Sequence, residues 1–290
     1  MTPDRAPNFE PQVSVIVPIY NGEADLPGLL ACLYEQTFPS DRVEYLLVNN
    51  NSRDRTAEIL EATVAEARSR GLQLRALNEN QIQSSYAARN TGIEAAKSEF
   101  LAFTDADCRP IPQWLERLVR SFADARVGLV VGEVAALPGK TWLERHADRQ
   151  NTLTQKDTLA HPFCPYGQTA NLAVRRAVFK EVGLFRPYLT TGGDADLCWR
   201  ILRETAWQYH FAEDAIVKHR HRVNLKEFRS QWERYGRSNK YLHELHGVPL
   251  RPGLTPRYSM YLLSRWLLKE LPTSTVSAIA RKTPWVALLA

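Results

Sequence analysis

FLAFTDADCRP, residues 100–110, starts as an apolar run and ends in two acids separated by one alanine, then a proline. The apolar part, EFLAFTD (99–105), reads as a buried strand, with Asp105 and Asp107 at its tip. Its meaning depends on its neighbours. VSVIVPIY (13–20), VEYLLVNN (43–50) and LQLRALN (72–78) read as strands before it. Between them, ADLPGLLACLYEQ (24–36), RDRTAEILEATVAEARSRG (53–71) and SSYAARNTGIEAAK (84–97) read as helices. Strands alternating with helices of this length predict an α/β fold: a mostly parallel sheet with right-handed crossovers, flanked by helices. Ligands bind such sheets beyond the carboxyl ends of the strands. Tyr20-Asn21, Asn49-Asn50-Asn51 and the pair Asp105/Asp107 all fall at such ends.

The second half is less regular. PQWLERLVRSFAD (112–124) predicts a helix, GLVVGEVAAL (128–137) a strand and KTWLERHADRQNTLTQ (140–155) a helix. HPFCPYGQTAN (161–171) is a loop, DADLCWRILRETA (194–206) a helix and WQYHFAEDAIVKHRHR (207–222) extended. Two helices follow, NLKEFRSQWERYGRSNKYLHELHG (224–247) and the amphipathic PRYSMYLLSRWLLKELP (256–272). The expected organisation is one domain over 1–222 and a basic helical extension over 223–290.

Of the 290 residues 44% are hydrophobic, enough for a sizeable core. The net charge of +5 is unevenly spread: residues 215–290 carry +10 and the rest −5. A basic terminal quarter suits phosphate-bearing ligands, an anionic membrane or nucleic acid. No nucleic-acid motif accompanies it, so nucleic acid is set aside. Cys32, Cys108, Cys164 and Cys198 show no paired spacing, and MTPDRAPNFEPQ lacks an apolar signal core, so a cytoplasmic setting is expected.

Two carboxylates on one turn suit Mg²⁺ or Mn²⁺, which take oxygen ligands from carboxylate, water and phosphate. Such an ion stabilises a diphosphate leaving group. Solvated, helix-capping acids are the plain alternative. TGGDADLCWR (191–200) holds a second pair, Asp194 and Asp196, after two glycines. Asp194 stands where a helix begins, so it is a cap or a general base. GGDAD also resembles the GGDEF signature of nucleotide cyclases, but that signature lies in a hairpin and LCWRILRE reads as helix.

Taken in order, VSVIVPIYN, VNNNSRDRT, AARNTGI, FTDADC, ANLAVRR and GGDADLCWR resemble the inverting glycosyltransferases of family 2, with the GT-A fold, from about Val13 to Gly236. The resemblance implies that Pro18, Tyr20 and Asn21 lie near the nucleotide base and Arg89 near its phosphates. It gives Asp105 to ribose and metal, Asp107 to the metal, and Asp194 the role of base. Asn49 and Asn50 stand where the family usually has an Asp that accepts from uracil N3–H. Asn accepts through its carbonyl, without charge assistance. A UDP-sugar is the first choice of donor, with GDP- and dTDP-sugars open. Gly193 replaces a common Glu, so Asp196 shares the candidate acidic role. Such enzymes often take a third metal ligand from a late histidine, here His219 or His221, which otherwise belong to a basic surface strip. QWERY (231–235) is like the Q-x-x-R-W motif of processive members, with Tyr for Trp and without their membrane helices.

The resulting expectation is an enzyme that moves one sugar, with inversion, from a nucleotide-diphosphate sugar to an acceptor hydroxyl on a carbohydrate or lipid-linked glycan, using Mn²⁺ or Mg²⁺. A nucleotide-sugar-binding module of the same fold that has lost turnover is the competing reading. The helix at 256–272 either packs on the domain or lies peripherally on an anionic cytoplasmic leaflet.

Overall fold

The computed structural model describes residues 10–139, 141, 144, 147, 154–220, 224–250, 256–265 and 268. Eight strands form one sheet: β1 (Val13–Ile19), β2 (Val43–Asn49), β3 (Gln73–Asn78), β4 (Phe100–Phe103), β5 (Cys108–Pro110), β6 (Val127–Ala136), β7 (Leu172–Arg175) and β8 (Gln208–His219). Their order is β3-β2-β1-β4-β7-β6-β8-β5. The β1–β2, β2–β3, β1–β4 and β6–β8 pairs are parallel. The β4–β7, β6–β7 and β5–β8 pairs are antiparallel. The sheet is therefore mixed, parallel in its first half as expected.

Both faces of the sheet are covered, which is why the strands read as unbroken apolar runs. Val15, Val17 and Ile19 pack against Leu26, Leu29 and Leu33 of α1 (Leu26–Tyr34), Leu60 of α2 (Thr56–Ser69) and Trp114 and Leu118 of α4 (Trp114–Arg120). Ile16, Leu46 and Phe103 face the other way. They meet Tyr86 and Ile93 of α3 (Ser85–Ala95), Phe179 of α6 (Arg176–Val182) and Leu197 and Ile201 of α7 (Gly193–Glu204). Each such side chain contributes about 1.5–3 kcal/mol when fully buried. α5 (Gln155–Leu159) is short. α8 (Leu225–His246) and α9 (Pro256–Arg265) follow the sheet.

Two sequence readings need correction. β4 ends at Phe103; Thr104 and Asp105 are irregular and Ala106-Asp107 form a turn, so neither acid belongs to the strand. β5 and β7 were not foreseen, because strands of three and four residues are too short to show a period. The helix expected at 140–155 falls mostly outside the described residues, as do His221, Trp266, Leu267 and Leu271.

The turn into β5 matters most for the site. β5 pairs with the end of β8 in a register that sets Cys108 opposite His219. This brings a residue 112 positions later beside Asp107. Buried Asn171 holds the neighbouring strands: its Nδ2 donates to Glu133 O (2.8 Å) and Ala215 O (2.7 Å), and its Oδ1 accepts from Trp114 Nε1 (2.8 Å). α8 docks on the start of α7. Gly192, at φ +79°, has no room for a Cβ, which would lie 2.1 Å from Ser238 Oγ of α8.

Candidate active site

A cleft of about 480 Å³ opens at the carboxyl ends of β1, β2 and β4. Pro18, Tyr20 and Asn21 line one wall, and Tyr20 is 52% exposed, an aromatic face open for stacking. Asn21 takes the left-handed conformation (φ 50°) and stitches two loops together. Its amide donates to Ser52 Oγ (2.9 Å), and its Oδ1 accepts from Arg53 N (2.8 Å). Asp54 of the same motif accepts from Glu23 N, Thr56 N and Thr56 Oγ1, and these bonds outweigh its desolvation and hold its carboxyl below the ordinary range.

Asn49 and Asn50 part company. Asn49 is buried and does not line the cleft; its Nδ2 donates to Asn78 Oδ1 and its Oδ1 accepts from Ser52 N. Asn50 lines the cleft, but both its amide hydrogens go to backbone carbonyls, Glu79 O (2.9 Å) and Ile82 O (2.8 Å). Its Oδ1 accepts from Gln83 Nε2 (3.2 Å) and keeps a second lone pair. Toward the cleft Asn50 is thus an acceptor, not a donor.

Asp105, Asp107, Cys108 and His219 each place one candidate ligand atom within 4.8 Å of the others. His219 Nδ1 lies 2.7 Å from Arg220 O and must donate to it, so the neutral ring presents the Nε2 lone pair. That nitrogen sits 3.3 Å from Asp107 Oδ1. Two acceptors at this distance fit together when a cation or a proton lies between them. Two carboxylates with an imidazole therefore fit a Mn²⁺- or Mg²⁺-type ion. Cys108 suits it less: burial pushes its thiol far up, away from the thiolate a metal would need. Asp105 is also bound to buried Arg89, whose Nη2 lies 2.5 Å from Oδ1. Arg89 Nε is buried without a partner.

Asp194 opens α7, and its Oδ1 accepts from Thr169 Oγ1 (3.0 Å). Burial pushes its carboxyl above the ordinary range; Arg89 opposes this and the charge of Asp105 adds to it. A raised carboxyl is a better proton acceptor once ionised. Asp196 is different. It is fully buried, and its oxygens are taken by Arg200 Nη2 (3.0 Å), Arg186 Nε (3.1 Å) and His246 Nε2 (2.9 Å). Burial alone would raise it, but Arg200, His246 and Arg186 hold it below the ordinary range. Its bonds tie α7 to α8 and to the preceding loop.

Several cleft residues were not singled out in the sequence. Gln83, Ser84, Ser85 and Thr190 line the cleft, as does Asp25, which is paired with Arg220 (3.0 Å). Ser84 was findable: it is the N-cap of α3 and accepts from Tyr86 N, and Ser before a helical pattern is a start signal. Thr169 and Tyr86 gave no such signal.

An α/β sheet with acids beyond its carboxyl edge, and a second acid opening a later helix, matches the arrangement expected of a GT-A type glycosyltransferase. The model of glycosyl transferase family 2 matches residues 14–183 and that of glycosyl transferase family group 2 matches residues 100–290. The chain belongs to glycosyl transferase family 2. It is 34% identical over 262 residues to glycosyltransferase AglE of Haloferax volcanii, covering 89% of this chain and 80% of that one. It is 31% identical over 193 residues to an undecaprenyl-phosphate 4-deoxy-4-formamido-L-arabinose transferase of Pseudomonas aeruginosa, covering 64% of this chain and 55% of the relative. Among solved structures, the mannosyltransferase PcManGT from Pyrobaculum calidifontis, in complex with GDP-Man and Mn²⁺, superposes with a TM-score of 0.61 at 21% identity, covering 97% of this chain and 78% of that one. S. aureus TarS 1–349 with UDP-GlcNAc gives 0.58 at 18%, covering 94% and 76%. The likenesses to the two solved structures bear on the fold alone.

Proposed function

We propose that the chain transfers one sugar, with inversion, from a nucleotide-diphosphate sugar to a hydroxyl of a glycan or lipid-linked acceptor. The observation that carries this reading is the cluster of Asp105, Asp107 and His219 on the wall of a cleft that also presents Tyr20, Asn50 and Arg89. Tyr20 stacks the base. Asn50 Oδ1 accepts an N–H from it, a requirement that uracil, thymine and guanine all meet, and UDP stays the first choice. Asp105, Asp107 and His219 hold a divalent ion, which supplies charge neutralisation to the departing diphosphate. Arg89 adds a fixed positive charge nearby. Asp194 removes the proton from the attacking hydroxyl. Asp196 holds the helix that carries it. Several relatives are named for lipid-linked substrates, which supports such an acceptor.

A panel of UDP-, GDP- and dTDP-sugars, read by thermal shift with and without Mn²⁺, tests the donor assignment. A true donor stabilises the fold by mass action, by about 2.7 kcal/mol at a hundredfold excess over Kd, and so raises Tm. Slow release of nucleoside diphosphate from the same sugar shows turnover. Stabilisation with no release under any acceptor favours the binding-module reading; no stabilisation by any sugar overturns both.

Residues 223–290 serve as a basic extension that holds the enzyme peripherally on the anionic cytoplasmic leaflet. Ten of the thirteen exposed large apolar side chains among the described residues lie between Leu225 and Leu268, including Trp232, Tyr258, Met260 and Tyr261. Arg257 and Arg265 flank those of α9. No helix among the described residues is long and apolar enough to cross a membrane. Aromatic and aliphatic residues beside cations suit the interface. The full chain is expected to float with anionic liposomes at low salt and not with neutral ones, and a chain ending at Pro249 to float less. Absence of flotation with anionic liposomes assigns α9 to protein packing instead.

A further inference from the structure

α7 lacks the cap its sequence position calls for. Its N-cap is Gly192, which has no side chain to accept from the first-turn amides. A capping Ser, Thr, Asp or Asn there would be strained, because φ is +79° and a Cβ would strike Ser238 Oγ. The first N–H groups of a helix need partners from elsewhere. The Gly193 amide finds one far away in sequence: it donates to the hydroxyl of Tyr86, 107 residues earlier, at 3.0 Å. The Asp194 amide also faces that oxygen.

The phenol is held rigidly. Tyr86 is 5% exposed and stacks on Phe185, with centroids 5.6 Å apart and planes at 22°. Its ring fills the space where a Gly193 side chain would stand, 2.7 Å from the Cβ position, so only glycine lets the helix start there. Two further links fix α3 to the loop before α7. Ser84 Oγ donates to Leu189 O (3.2 Å), and Asn90 exchanges bonds with the backbone of Phe185 (2.8 and 3.1 Å).

We infer that Tyr86 is the N-cap of α7 supplied from α3, a positioning residue whose hydroxyl satisfies the first-turn amides and thereby leaves the Asp194 carboxylate directed at substrate. The inference rests on Asp194 being the base. An acid in the first turn of a helix is drawn by the helix dipole toward the free amides of that turn. Asp196 is held by Arg186, Arg200 and His246, so Asp194 is the acid within reach of that role. A carboxylate that accepts backbone N–H groups is a weaker base. The groups facing Asp194 are Arg89 and Tyr86 from α3, Asp105 from the turn after β4, Thr169 (through its hydroxyl and its backbone amide) and Tyr166 from the loop before β7, and Cys198 of α7 itself.

Tyr86→Phe keeps the ring on Phe185 and removes one oxygen. With whichever UDP- or GDP-sugar releases nucleoside diphosphate in Mn²⁺, kcat is expected to fall at least about tenfold, part of the roughly 10²–10⁴-fold that a positioned base gives. The donor KM stays unchanged. The acid limb of the rate profile moves to lower pH, because amide bonds to Asp194 favour its ionised form. A ¹³C titration of aspartate-labelled protein, with the Asp194 signal assigned by Asp194→Asn, is expected to show the same downward move without any substrate. A limb and a titration that stay put, or move upward, overturn the cap. If Asp194→Asn keeps its activity, the base assignment fails, while the titration still judges the cap. Should Tyr86→Phe not fold, hydrogen exchange of the native Gly193 amide decides: slow exchange supports the cap and fast exchange overturns it.

Discussion

Asp194→Asn is expected to keep donor binding and lose sugar transfer by roughly 10²–10⁴-fold, the contribution of a positioned acid–base group. The change is nearly isosteric, and the new Oδ1 still accepts from Thr169 Oγ1. Asp194 is not among the residues that line the donor cleft, so nucleotide affinity should not follow activity down. Stability should hold or rise. Because burial raises the folded-state pKa of Asp194, its ionised form costs stability above that pKa, and the neutral amide removes the cost. Asp196→Asn should behave in the opposite way. It takes the charge away from buried Arg200, and breaking such a buried pair costs about 3–5 kcal/mol; the half-exposed Arg186 loses its partner at little cost. A urea melt and a transfer assay on both variants separate the roles. Transfer surviving in Asp194→Asn but lost in a folded Asp196→Asn would reverse the assignment. In the native enzyme the acid limb of kcat/KM should lie above the ordinary aspartate range and vanish in Asp194→Asn.

The sequence made some of this legible and hid the rest, for reasons that are physical. β1 and β2 are buried on both faces, so their apolar runs stood out, and helices of nine to fourteen residues between the first strands forced the parallel half of the sheet. Asp105 and Asp107 were visible because they end such a run. Asp194 was visible because two glycines precede it and a helix follows. What stayed hidden depends on contacts distant in sequence. His219 was a candidate only through the family resemblance, on equal terms with His221, because it meets Asp107 through the register of a three-residue strand. Asp194 and Asp196 look alike in the sequence, and only the arrival of Arg186, Arg200 and His246 makes one of them structural. Asn49 and Asn50 are likewise adjacent and chemically identical, and both are buried, yet only Asn50 lines the cleft. The cap from Tyr86 joins two helices whose local patterns say nothing of each other.

Asp107→Ala is expected to abolish the Mn²⁺-dependent part of nucleoside diphosphate binding while leaving the fold intact. The choice of this acid over its neighbour follows from their partners. Asp105 is bound to the buried guanidinium of Arg89, so Asp105→Ala would strand a buried charge and confound binding with unfolding, at a cost of about 3–5 kcal/mol. Asp107 lies on the turn, 21% exposed, with His219 Nε2 at 3.3 Å. Its loss removes one carboxylate from a set of two and leaves the Arg89–Asp105 pair in place. Losing a partner that merely orients a metal ligand costs about 10–100-fold in metal affinity, so losing a ligand should cost at least about 100-fold. Calorimetric titration of UDP and GDP, each with Mn²⁺ and with EDTA, reads the effect: the native chain gains affinity with Mn²⁺ and the variant gains none. His219→Ala should fall between the two, since both carboxylates remain. An unchanged Mn²⁺ dependence in a folded Asp107→Ala protein would remove the ion from this cluster. It would leave Arg89 and the basic residues beside the cleft as the groups that neutralise the diphosphate.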